Sequence, residues 1–129
     1  MAFDWKSLVE VAKELSRQAA GSSHPEAFYR SALSRAYFGA YGHAREYAAK
    51  FLGFVPRQAS EDHGRLRAHL QRKRRSGDAD RVGILRQLRN EADYESEFPT
   101  PPDWASAVVK AVSLAERVFA SLAPAKATS

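Results

Sequence analysis

Residues 25–52 read PEAFYRSALSRAYFGAYGHAREYAAKFL. Proline is tolerated in the first turn of a helix, where its missing N–H costs no hydrogen bond. Ala32, Ala36, Tyr37, Ala40, Tyr41, Ala44, Tyr47, Ala48 and Phe51 then recur at the spacing of one helix face. Small residues alternating with rings let neighbouring helices approach closely while the rings fill the gaps. The stretch predicts one long helix, Pro25 to Leu52, that serves as the spine of a bundle. Ser23-His24-Pro25-Glu26 has the form of a capping box at its start, and Gly53 and Pro56 close its end.

Working outward, Leu8, Val11, Ala12, Leu15 and Ala19 predict a first helix that starts after Asp4, an N-cap, and stops at Gly21. Beyond the spine, a polar third helix is expected over Glu61 to Arg75, with Leu66, Ala68 and Leu70 as its apolar content. Ser76-Gly77-Asp78 reads as a turn, with Asp78 or Asp80 capping a fourth helix, Ala79 to Glu95, whose inner face carries Val82, Leu85, Leu88 and Ala92. Residues 98–102 (FPTPP) break the chain. Thr100 is the expected cap of a last helix with Pro101 at its first position and Trp104, Val108, Ala111, Leu114, Val118 and Leu122 facing the core. Strand signals are nearly absent. The reading is an all-α, antiparallel helical bundle of about five helices, one domain over 1–123 with a frayed tail at 124–129.

Composition narrows the function. With 129 residues and 44% apolar side chains the chain can bury one core. Its apolar runs are far shorter than a membrane span, and MAFDWKSLVE lacks the apolar centre of a signal peptide, so a cytoplasmic protein with no membrane partner is expected. Cysteine is absent, and the four histidines form neither HxxH nor HExxH, so no metal is expected. The single Gly64-Arg65 step is not a phosphate-binding loop, and no cofactor is expected. A net charge of +5 favours polyanionic partners, nucleic acid first, although solubility alone accounts for such a charge equally well.

Three stretches stand out: SRAYFGAY at 34–41, the basic run Arg65, Arg67, Arg72, Lys73, Arg74 and Arg75, and LRNEADY at 88–94. A long helix reading SRAYFGAYGHAREY, then a polar stretch opening with His63-Gly64, then LRNEADY resembles the HEPN superfamily over roughly Leu8 to Leu122. The resemblance implies a helical bundle that dimerises. It also implies a metal-independent ribonuclease site shared across the dimer, built on an Arg, a polar residue, and a His five positions after the Arg. Arg89 and Asn90 match the first two, and the His position holds Tyr94. The chain instead matches a branch that reads Arg, Asn, two residues, Asp, Tyr. The implied function is a toxin or RNA-handling component acting as an endoribonuclease. The alternative is a catalytically inactive module that dimerises and binds RNA or a protein partner. The implied partners are a second copy, RNA, and an antitoxin such as a minimal nucleotidyltransferase.

The departure at Tyr94 has a chemical consequence. Cleavage of RNA to a cyclic phosphate needs a base for the 2′-hydroxyl and an acid for the leaving oxygen, and histidine titrates near the required pH. Tyrosine, with an ordinary pKa near 10, is a poor base there. Arg89 is placed to clamp a phosphate and Tyr94 to donate a hydrogen bond. The base is then to be sought in Asp93 or His63. Plainer roles stand beside these: an Arg89–Asp93 surface ion pair, Tyr94 as a core or interface ring, His63 as an exposed helix-start residue, and the basic run as a solvated face. Arg35, alone among small and aromatic neighbours, is expected to join Arg89 and Asp93 in one polar cluster.

Overall fold

A computed structural model of the chain describes residues 3–98 and 100–124. These form five helices: α1 (Lys6–Ala19), α2 (Pro25–Phe51), α3 (Asp62–Arg72), α4 (Ser76–Tyr94) and α5 (Trp104–Ser121). No strand occurs among the described residues. The all-α bundle expected from the sequence is the architecture found. The tail expected to fray lies, from residue 125 on, outside the described residues.

α2 is the centre and packs against all four other helices. The alanine face explains this: Ala32, Ala36, Ala40, Ala44 and Ala48 are fully buried, as is Tyr37. The closest approach is to the start of α1. A Cβ on Gly42 would fall 2.1 Å from the Trp5 ring, and one on Gly39 would fall 2.9 Å from the Trp5 carbonyl oxygen. Leu33, Leu66, Leu70, Leu85 and Leu122 complete the core from α2, α3, α4 and the end of α5. Each contributes about 1.5–3 kcal/mol relative to an exposed position. No helix of the described residues is long and apolar enough to cross a membrane.

Contacts fix the helix directions. Arg30 donates to the carbonyls of Ala92 and Glu95, whereas Arg75 lies against Tyr47, so α2 and α4 run antiparallel. Arg30 also sits 4.6 Å over the Trp104 ring, and His43 Nε2–H donates to the Leu122 carbonyl at 2.6 Å, so α5 runs parallel to α2. Buried Asp78 at the start of α4 accepts from Arg81 at 2.9 Å and from Ser121 Oγ at 2.6 Å, tying α4 to the end of α5.

Several expected helix ends move. The Ser23–Glu26 capping box does not form: His24 is the N-cap and makes no side-chain cap bond, while Glu26 pairs with Arg30 at 3.2 Å. α3 ends at Arg72 instead of Arg75, and Ser76-Gly77-Asp78 is the first turn of α4 instead of a connecting turn. The cause is Arg74, which adopts a left-handed φ of 60°. It lets Arg75 N–H reach the Leu70 carbonyl (2.8 Å) and Arg74 N–H the Gln71 carbonyl (3.2 Å), the paired bonds of a Schellman termination. Asp78 is therefore buried inside α4 and caps nothing. α5 is capped by Asp103, not Thr100, because the Asp103 carboxylate accepts from Ser106 N–H at 3.1 Å and from Ser106 Oγ at 2.8 Å.

Candidate functional site

The LRNEADY stretch occupies the last two turns of α4. Arg89 Nε pairs with Asp93 Oδ2 at 2.9 Å, one helical turn on. Its Nη1 donates to Asn90 Oδ1 and its Nη2 to Tyr94 Oη, each at 3.2 Å. The guanidinium lies 4.9 Å from the Phe38 ring centre and 5.2 Å from that of Tyr94. Asp93 is steadied from α2 by Ser34 Oγ, which donates to Oδ2 at 3.3 Å. The expected cluster thus takes Ser34 in place of Arg35. Arg35 turns its guanidinium over Phe38 (5.8 Å) and makes no ion pair among the described residues. Tyr94 is 68% exposed and is no core ring.

His63 stands in the first turn of α3 but is not the exposed helix-start residue of the plainer reading. It is half-buried, stacks on Tyr41 with ring centres 4.2 Å apart, and bonds through Nδ1 to the Tyr37 hydroxyl. Burial lowers its pKa, and the positive charges of Arg86 and Arg89 lower it further against the opposing pull of Asp62. These effects favour the neutral imidazole. Burial also raises the Tyr37 pKa well above its ordinary value, so the phenol keeps its proton. The hydroxyl either donates to Nδ1 or accepts from Nδ1–H. The second tautomer leaves Nε2 free to take up a proton.

Between α3 and α4 lies an open cleft of about 570 Å³ lined by Arg67, Asp80, Gly83, Ile84, Arg86, Gln87 and Asn90. Arg67 lies so close to α4 that a Cβ on Gly83 would meet its guanidinium at 2.8 Å. Arg67 and Arg86 make no ion pair among the described residues, and their Nε–H groups are buried without an acceptor. Asp80 lines the same cleft and pairs with neither. Arg67 and Arg86 share this cleft with Asn90, whose side-chain oxygen accepts from Arg89, so the three cations are gathered about one surface. Three guanidinium groups with a single paired carboxylate suit an oxyanion with several oxygens, such as a phosphodiester.

The basic run does not act as one face. Arg65 is engaged with Asp62 at 2.6 Å and with the Val55 carbonyl at 2.9 Å. Arg75 is half-buried over Tyr47. Arg72, Lys73 and Arg74 are exposed at the α3–α4 turn, and Arg67 alone turns into the cleft. Asp62 carries the loop before α3. Burial raises its pKa, but the N–H groups of Arg57 and Gln58 and the Arg65 guanidinium outweigh this and hold it below the ordinary value.

Sequence reasoning missed Arg86, Tyr37 as the partner of His63, and Arg45, which lies 5.4 Å from the ring centres of both Trp5 and Tyr41. Arg86 carried a usable signal, since it precedes Arg89 and Asn90 by one turn. His69, the other histidine of α3, donates to the Leu52 carbonyl at 2.6 Å and points away from His63. Among the described residues no three carboxylate or imidazole groups converge as metal ligands. Comparison with protein-family models, with curated proteins and with solved structures finds no match for this chain.

Proposed function

We propose that the chain is a cytoplasmic RNA-handling module of the HEPN type, which grips a phosphodiester with Arg67, Arg86, Arg89 and Asn90 and cleaves it without metal through His63. What supports the reading is a half-buried His63 bonded to Tyr37 and acted on by the charges of Arg86 and Arg89, beside a cleft lined by Arg67, Arg86 and Asn90, with Arg89 alone of the three arginines paired with a carboxylate. His63 Nε2 takes the proton of the ribose 2′-hydroxyl. The 2′-oxygen attacks phosphorus to form a cyclic phosphate, and the 5′-oxygen departs, protonated by water. The arginines offset the charge that builds on the phosphoryl oxygens. Asp93 spends Oδ2 on Arg89 and Ser34, and so positions Arg89 rather than serving as the base. The partners proposed with this reading are a second copy of the chain and an antitoxin such as a minimal nucleotidyltransferase.

A second reading has its own support. The Arg89 guanidinium is already bonded to Asp93, Asn90 and Tyr94 along its own helix. A guanidinium so committed suits a module that binds RNA or a protein partner and cuts nothing.

The test is incubation of single-stranded RNA with the protein in EDTA. Cleavage that leaves cyclic phosphate ends and falls by roughly 10²–10⁴-fold in His63→Ala supports the catalytic reading, since that is the usual size of a lost general base. Tyr94→His is expected to raise the rate by adding a second group that titrates near neutrality. RNA bound but uncut by the wild type and by Tyr94→His would leave the binding module standing. RNA neither bound nor cut would remove both.

A further inference from the structure

A second cleft, of about 410 Å³, opens between the start of α1, the middle of α2 and the loop before α3, with His63 in its lining. Its volume falls within the range of small-ligand sites. Trp5, Phe38, Tyr41 and His63 supply aromatic walls, and Arg45 lies over two of those rings. Tyr37, Tyr41 and His63 are already stacked nearly parallel, with interplanar angles of 13–19°. Gln58 and Ser60 add polar groups at the rim. Gln58 is held there in a left-handed conformation by the bond from its N–H to Asp62. Arg45 makes no ion pair among the described residues, and its polar contact is with the Tyr41 hydroxyl in the wall of the same cleft.

Aromatic walls, an overlying guanidinium and a few polar rim groups are what a flat, unsaturated ring with polar edges requires. A purely aliphatic ligand would waste the cation, and a bare anion would waste the rings. His63 borders this cleft and also feels the charges of Arg86 and Arg89, so a ring bound here stands next to a side chain on which those two cations act. We propose that this cleft receives a nucleobase, stacked among Trp5, Phe38 and Tyr41 beneath Arg45, and that it sets which nucleotide stands next to the phosphate held by Arg86 and Arg89. The inference rests on the RNA reading for its source of base. Free nucleotide is the other source of the same chemistry.

The probes are adenosine monophosphate, adenosine, inorganic phosphate, single-stranded RNA and an abasic ribose-phosphate oligomer. Trp5 emission reports occupancy, with Trp5→Phe identifying its share against that of Trp104. Saturable quenching by the monophosphate and by adenosine but not by phosphate is expected. Arg45→Ala is expected to weaken the monophosphate by roughly 5- to 150-fold, the range for one lost base-stacking contact, and to leave the abasic oligomer unchanged. Circular dichroism on Arg45→Ala guards against simple unfolding. If the monophosphate leaves Trp5 unchanged while RNA still binds, the base site is refuted and the RNA reading survives. If the monophosphate binds and neither polymer does, the ring site stands as a free-nucleotide site and the RNA reading falls.

Discussion

Replacing Gly83 by alanine should separate stability from phosphate binding. Gly83 lies inside α4, where glycine costs about 1 kcal/mol relative to alanine. The new Cβ would sit 2.8–3.0 Å from the end of the Arg67 side chain. That contact is too tight, but the obstacle is the tip of a flexible, half-buried arginine and not backbone. Arg67 should therefore swing out of the cleft, leaving a net gain of about 0–1 kcal/mol and a melting temperature unchanged or raised by up to about 5 °C. RNA binding should move the other way. Each phosphate contact on a single strand contributes about −0.7 to the slope of log K against log salt. Losing the Arg67 contact should flatten the slope by about 0.7, which is about five-fold in affinity at 0.1 M salt relative to a 1 M reference. Calorimetric melts and a salt series of RNA titrations measure the two effects. A loss of more than about 1 kcal/mol would mean that Arg67 is locked in place. An unchanged salt slope would mean that Arg67 touches no phosphate.

Other substitutions address the fold and the site separately. Arg74→Gly should stabilise the chain by about 0.5–1 kcal/mol by relieving the left-handed φ of 60°; Arg74→Ala removes the same charge and keeps the strain, so equal denaturation midpoints for the two would refute the argument. Asp103→Ala should lower the midpoint in urea through loss of both bonds from Ser106. His63 has a folded pKa below its unfolded value, so the unfolded chain binds more protons around pH 6 and stability falls as pH drops through that region. His63→Gln should flatten this part of the stability–pH curve, and an unaltered curve would contradict the assigned direction.

The long helix was legible because its signal is repeated. Alanines and rings recur over seven turns, and no single residue decides the result. The α3–α4 junction was not legible because one residue does decide it: Arg74 takes a conformation that favours glycine, and nothing in Lys73-Arg74-Arg75 announces it. Ser76-Gly77-Asp78 has the composition of a turn, yet its backbone is helical because Asp78 is drawn inward to Arg81 and Ser121. The site divides in the same way. Arg89, Asn90, Asp93 and Tyr94 lie within six residues of one helix, so their mutual bonds follow from helical spacing. His63 with Tyr37, and Arg67 with Gly83, depend on how α3 settles against α2 and α4, which no local pattern encodes. The basic run misled because successive helical residues diverge by about 100°, so Arg65 and Arg67 face nearly opposite ways.

The charges of Arg86 and Arg89 act on His63, so any anion that these two arginines hold becomes a chemical effector of the imidazole. The two cations lower its affinity for a proton, and a bound phosphate would offset their charge. Binding should then draw a proton from solution in the pH range just below neutrality. By reciprocity, acidification should tighten the anion by the same factor. Heats of binding measured in buffers of different ionisation enthalpy would count those protons directly, and would do so for an oligonucleotide that is never cut.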